Sequence, residues 1–185
     1  MLKQAYAVLT FTALITIDDA QRFNMTFKTY NVTKFMSTGL KIWTYNTTKR
    51  TSLNCLVDAV FNITRESVYF NRSYRSGKEW SQFPKEGLFD ARDQRSMMVR
   101  RPGGLVEVTE ILEFANDNYT CGIFRVWPGG VLGHGQRLYD LRFKDYDKWD
   151  KPDKVCVDEF NKITSRMSRG RLVYFINCTS FDMSH

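Results

Sequence analysis

Histidine is all but missing from this 185-residue chain, which holds only His134 and the C-terminal His185. A His-rich metal centre or a Ser/His/Asp triad therefore has His134 alone to draw on, and no GxSxG, HExxH or EF-hand pattern is present. Proline is scarce too, at 4 residues, in a chain that is 43% hydrophobic and 15% aromatic. Such a composition excludes disorder and collagen-like structure and describes a packed protein, one domain by its length. No apolar run reaches the roughly 20 residues of a membrane-spanning helix. The cysteines lack a CxxC pair and the spacing of a structural zinc site. Neither an enzyme nor a cofactor or metal protein is expected.

What is present points outside the cell. Residues 1–20 carry one early cation, Lys3, then an uncharged run from Ala5 to Ile17, the layout of a signal peptide cleaved near Ala20; residues 21–185 form the mature domain. Seven Asn-x-Ser/Thr sequons, at Asn24, Asn31, Asn46, Asn62, Asn71, Asn118 and Asn177, mark candidate glycosylation sites on a secreted surface. Cys55, Cys121, Cys156 and Cys178 all follow the signal, an even number that in an oxidising compartment argues for two disulfides, with three pairings open. The basic residues, Arg92, Arg95, Arg100, Arg101, Lys148, Lys151 and Lys154 among them, are dispersed over many segments and form no stripe, so a nucleic-acid partner is not expected.

Runs rich in branched and aromatic residues predict strands over 53–63, 67–74, 106–114, 121–127, 138–143 and 172–176. Arg101-Pro102-Gly103-Gly104 and Trp127-Pro128-Gly129-Gly130 punctuate them as turns. Gly129 to Gly135 lacks the GxGxxG order of a phosphate cradle and reads as a loop. After Pro152 the period changes: Cys156, Phe160, Ile163 and Met167 fall on one helical face. Asp153, Asp158 and Glu159 load the first turns of this helix, Arg166 and Arg169 its last, and Gly170 ends it. Within 106–114, alternation puts Val106, Val108, Leu112 and Phe114 on one face with Glu110, so Glu110 is expected to look inward unless a bulge shifts the register. Asp58, flanked on its face by Leu56 and Val60, poses the same question. Trp43, Tyr69, Phe114 and Phe124 are candidate aromatics of the interior.

The run from Asn118 to Cys178 resembles the secreted lipocalins of tick saliva that include the histamine-binding proteins. The similarity lies in Tyr119-Thr120-Cys121-Gly122-Ile123-Phe124, Tyr139-Asp140-Leu141-Arg142, Cys156 ahead of Phe160, and Val173-Tyr174 ahead of Cys178. The resemblance implies an all-β fold with a C-terminal helix, an eight-stranded antiparallel lipocalin β-barrel with the helix packed outside and a ligand cavity within. It also implies disulfides Cys55–Cys178 and Cys121–Cys156. Amine-binding members carry an acid directly after the cysteine matched by Cys121, and Glu-Leu-Trp or Glu-Leu-Tyr on the next strand. Here Gly122 and Asp140-Leu141-Arg142 stand instead, with Asp140 and Arg142 expected to point together into the lumen.

Two function classes follow. In the first, a secreted monomer traps a small host mediator in its barrel, a biogenic amine such as histamine or serotonin by the resemblance, or a lipid-like amphiphile that Arg142 would meet, and so suppresses host defence. In the second, the barrel is a scaffold whose loops bind a host immune protein. Neither requires a membrane partner.

Overall fold

The computed structural model describes residues 28–129, 137–145, 151–167 and 170–179; the expected signal peptide, Asn24, His134, His185, Lys148 and Arg169 lie outside them. Eight strands run β1 (Ile42–Thr47), β2 (Asn54–Ile63), β3 (Ser67–Ser76), β4 (Glu79–Phe89), β5 (Ser96–Arg100), β6 (Val106–Ala115), β7 (Cys121–Pro128) and β8 (Leu138–Lys144). Each pairs antiparallel with the next, β8 pairs with β1, and Ile42 and Trp43 of β1 pair with Asp58 and Val57 of β2, which closes the barrel. The far half of β1 leaves β2, and Asn46 and Thr47 instead pair with the short β9 (Arg171–Leu172). Full closure removes the exposed sheet edges that an open antiparallel sheet would present.

The alternation of the strands decides what fills the barrel. Phe70, Met97, Leu112 and Phe124 point inward at one end, and the five-residue helix α1 (Val32–Met36) plugs that end by adding Val32, Phe35 and Met36 to the same apolar core. Asn31 caps α1, its Oδ1 accepting from the Lys34 amide at 2.8 Å. The opposite faces of β1, β7 and β8 supply a second core outside the barrel, where Trp43, Ile123, Leu141 and Phe143 meet Tyr174 and the helix α2 (Lys154–Thr164). Asp153 caps α2, accepting from the Val155 amide at 3.1 Å, and Cys156 and Phe160 are its buried face. The disulfides join Cys55 to Cys178 and Cys121 to Cys156, tying the C-terminal segment to β2 and α2 to β7, as the resemblance implies.

Two expectations are corrected. The helix stops at Thr164 rather than Gly170, whose position is so close to Asn46 Oδ1 and Phe160 Cε1 that a Cβ would stand 2.5 and 2.8 Å from them. The strand expected over 172–176 is only Arg171–Leu172, and Ile176–Cys178 is a single 3-10 turn. Strands β1, β4 and β5 and helix α1 were not legible as separate elements. Of the sequons, Asn62, Asn118 and Asn177 are exposed, Asn31, Asn46 and Asn71 half-buried. Among the described residues no helix is long and apolar enough to cross a membrane.

Candidate functional site

Five charged side chains meet inside the barrel, directly above the apolar plug. Arg72 and Asp58 face each other across the β2–β3 ladder, and the guanidinium grips the carboxylate with Nε to Oδ1 at 2.7 Å and Nη2 to Oδ2 at 2.8 Å. Arg142, on β8, reaches past β7 to Glu110 on β6, with Nη1 to Oε2 at 2.6 Å and Nη2 to Oε1 at 3.0 Å. Glu110 Oε1 also accepts from Arg72 Nη1 at 2.9 Å, and Asp140 Oδ2 from Arg142 Nη2 at 2.9 Å, so the two arginines join all three acids. Thr47 completes the group, its hydroxyl donating to Asp140 Oδ1 at 2.7 Å. The underside of the cluster is aromatic: the Arg142 guanidinium stands 4.5 Å from the Phe124 ring centre and that of Arg72 5.2 Å from Phe70.

Burial alone would push the Glu110 carboxyl up, but the charges of Arg142 and then Arg72, with their hydrogen bonds, hold it well below the usual carboxylate range. Burial likewise opposes the charge on Arg142, and Glu110 and Asp140 overcome it and raise its affinity for the proton. Glu110 and Arg142 are thus held in their charged forms, in a cluster that sets three carboxyl groups against two guanidiniums. One donor is left over: the buried Nε of Arg142 has no acceptor among the described residues. An orphaned buried donor costs about 1–3 kcal/mol unless something occupies it.

Above the cluster lies a cavity of about 350 Å³, at the low end of the ~300–1,000 Å³ typical of small-molecule sites. Asp58, Arg72, Glu110, Asp140 and Arg142 form its floor. Leu56, Tyr74, Phe83, Val108, Val126 and Leu138 form apolar walls, and Lys49, Lys85, Arg101 and Glu107 stand toward the rim. Lys85 pairs with Glu107. A ligand here would meet hydrocarbon and aromatic faces along its sides and a polar, pre-ordered floor beneath.

Four expected interior residues, Asp58, Glu110, Asp140 and Arg142, therefore come together, while the four aromatics do not line the cavity. Trp43 faces outward, because Ile42 and Thr44 take the inward positions of β1; its Nε1 donates to Asp145 Oδ2 at 3.3 Å. Tyr69 is outward for the same reason, lying between Val68 and Phe70, and its hydroxyl donates to Glu86 at 3.0 Å. Phe114 is turned to the outer core by a bulge between Leu112 and Phe114. That bulge falls beyond Glu110 and leaves its inward position intact. Phe124 does point inward but is sealed beneath Arg142. Gly122 sits in the plug, where a Cβ would stand 2.9 Å from Leu112 Cδ1 and from the Phe114 carbonyl oxygen and 3.0 Å from Phe35 Cε2, so no acid fits there.

Arg72 is the residue that sequence reasoning missed. Its signal was available in the alternation Val68, Phe70, Arg72, which puts a cation on the apolar face of the strand expected over 67–74. Tyr74, Phe83 and Lys85 on β3 and β4 were missed as well. Among the described residues no group of His, Cys, Asp or Glu side chains is arranged to hold a metal ion.

No protein-family model matches the chain, and no curated protein matches it in sequence. Among solved structures it is similar to AM182 in its serotonin complex, 15% identical over 82% of this chain and 94% of that one, with a TM-score of 0.60. It is similar also to Japanin from Rhipicephalus appendiculatus bound to cholesterol, 11% identical over 76% of this chain and 96% of that one, with a TM-score of 0.55. A third likeness is to the cockroach allergen Per a 4, 10% identical over 82% and 92% of the two chains, with a TM-score of 0.56.

Proposed function

We propose that this chain, whose barrel has the lipocalin fold, is a secreted carrier that sequesters a compact amphiphile, held with a neutral hydrogen-bond acceptor against Arg142 and an apolar body between the cavity walls. Sequestration of a host mediator by a salivary protein is the setting the sequence resemblance suggests. The observation that carries the reading is a cavity with apolar walls over a floor whose charges are already paired with one another. A ligand hydroxyl, ether or carbonyl oxygen meets such a floor without needing a free counter-charge. An anionic group would not add favourably to a floor that already holds one carboxylate more than it has guanidiniums. Such a group belongs at the rim, beside Lys49, Lys85 and Arg101. The two disulfides fit an extracellular protein.

The amine reading has its own support in the surplus negative charge of the floor and in the serotonin held by AM182. It is the weaker of the two, because an entering ammonium must recover its lost hydration from carboxylates that are already engaged by charge-assisted hydrogen bonds. Native mass spectrometry of the protein secreted from eukaryotic cells tests the choice. A retained oxygen-bearing amphiphile of defined mass supports the reading; an empty barrel that takes up serotonin or histamine stoichiometrically contradicts it.

A further inference from the structure

We infer that the open end of the barrel docks on an anionic lipid surface, with the cavity mouth facing the lipid. Three connections at this end, residues 48–53, 77–78 and 101–105, hold Lys49, Arg50, Lys78 and Arg101 with no acid, and Arg137 stands just before β8; the acids beside them are Glu79 at the start of β4 and Glu107, whose carboxylate lies 3.5 Å from Arg101. The hairpin connections at the closed end, residues 64–66, 90–95 and 116–120, mix Arg65, Arg92 and Arg95 with Glu66, Asp90, Asp93 and Asp117. A cationic ring of this kind is attracted to a surface of acidic headgroups within about a Debye length.

A second feature selects lipid over other polyanions. Leu105 projects from the same end with 92% of its surface exposed, on a tight turn fixed by Gly103 at φ +70° and by the Gly104 amide donating to the Arg101 carbonyl at 2.8 Å. An exposed leucine at the tip of a basic rim inserts among acyl chains and gains nothing from a sulfated glycan. The sequons agree with this orientation. None falls in these three connections; Asn46 stands near the open end of β1, half-buried, while Asn31, Asn62 and Asn118 stand at the closed end, where glycans would leave the mouth uncovered. An amphiphile leaving the lipid would enter the cavity without crossing water, although the docking itself does not depend on which cargo is carried.

The test is sedimentation of the full mature protein with vesicles of phosphatidylcholine, with and without phosphatidylserine, at physiological salt. Binding is expected only to the anionic vesicles. Arg50→Glu with Lys78→Glu, both exposed and neither lining the cavity, should lower it at least tenfold, given about fivefold for each cation at the surface. Leu105→Ser should lower it several-fold while leaving retention on heparin unchanged. Equal binding to both vesicle types, an equal loss on reversing Arg65 and Arg92, or retention on heparin without any vesicle binding would each overturn the inference. Because cargo binding is measured in solution, failure here leaves the carrier reading standing.

Discussion

Arg142 does at the residue scale what an aromatic does in the amine-binding pattern that this sequence resembles: it fills the space beside the β8 acid, but with a charge that occupies the acid. Its bonds to Glu110 and Asp140 are desolvated, and removal of one member leaves the others buried and uncompensated. Glu110→Gln should therefore destabilise the protein by about 3–5 kcal/mol in chemical denaturation. Lys144 is a different case, 6% exposed, lying 5.0 Å from the Phe35 ring, with burial pushing its ammonium down from 10.5 to about 8. Below pH 8 folded and unfolded chains are both protonated here, and the fold carries the full cost of burying the charge. Between about 8 and 10.5 the unfolded chain keeps a proton that the folded one has released, so stability rises with pH by on the order of 3 kcal/mol from this group. Denaturation midpoints across that window should show the rise, and Lys144→Met should lack it. Gly122→Asp, which restores the acid of the amine-binding pattern, should lower the melting temperature sharply and confer no amine binding, since the plug has no room for it.

At the scale of elements, legibility followed periodicity. The alternation over 106–114 placed Glu110 correctly, and the same alternation misplaced Phe114, because a bulge is a local insertion that leaves no mark in residue type. Strand β4 was hidden by its polar sequence and by Pro84. That proline is tolerated because β5 pairs only with Glu86 to Phe89 of β4, which leaves residue 84 beyond the shorter strand. Helix α1 is too short to show a period. The disulfide pairing came from the family resemblance and not from spacing. Cys121–Cys156 anchors α2 over the outer core, so replacing both cysteines by alanine should cost about 2–4 kcal/mol and release the helix before the barrel. Hydrogen exchange should then show the amides of residues 154–164 losing protection ahead of β7.

At the scale of the molecule, closure of the barrel sets which residues dispersed along the sequence come together. In an up-and-down barrel every second connection returns to the same end, so cations far apart in sequence gather at one rim. The same closure gathers Asp58, Arg72, Glu110, Asp140 and Arg142 from four strands onto one floor. Whether that floor offers an ammonium no free carboxylate and accepts a neutral oxygen is the central claim, and calorimetric titration tests it most directly. Serotonin and histamine should bind the mature protein no tighter than the micromolar range, and the affinity should rise at least tenfold in Arg142→Gln, where the amine can replace the missing cation. Nanomolar binding of either amine to the unaltered protein, or no gain in the variant, would contradict the account.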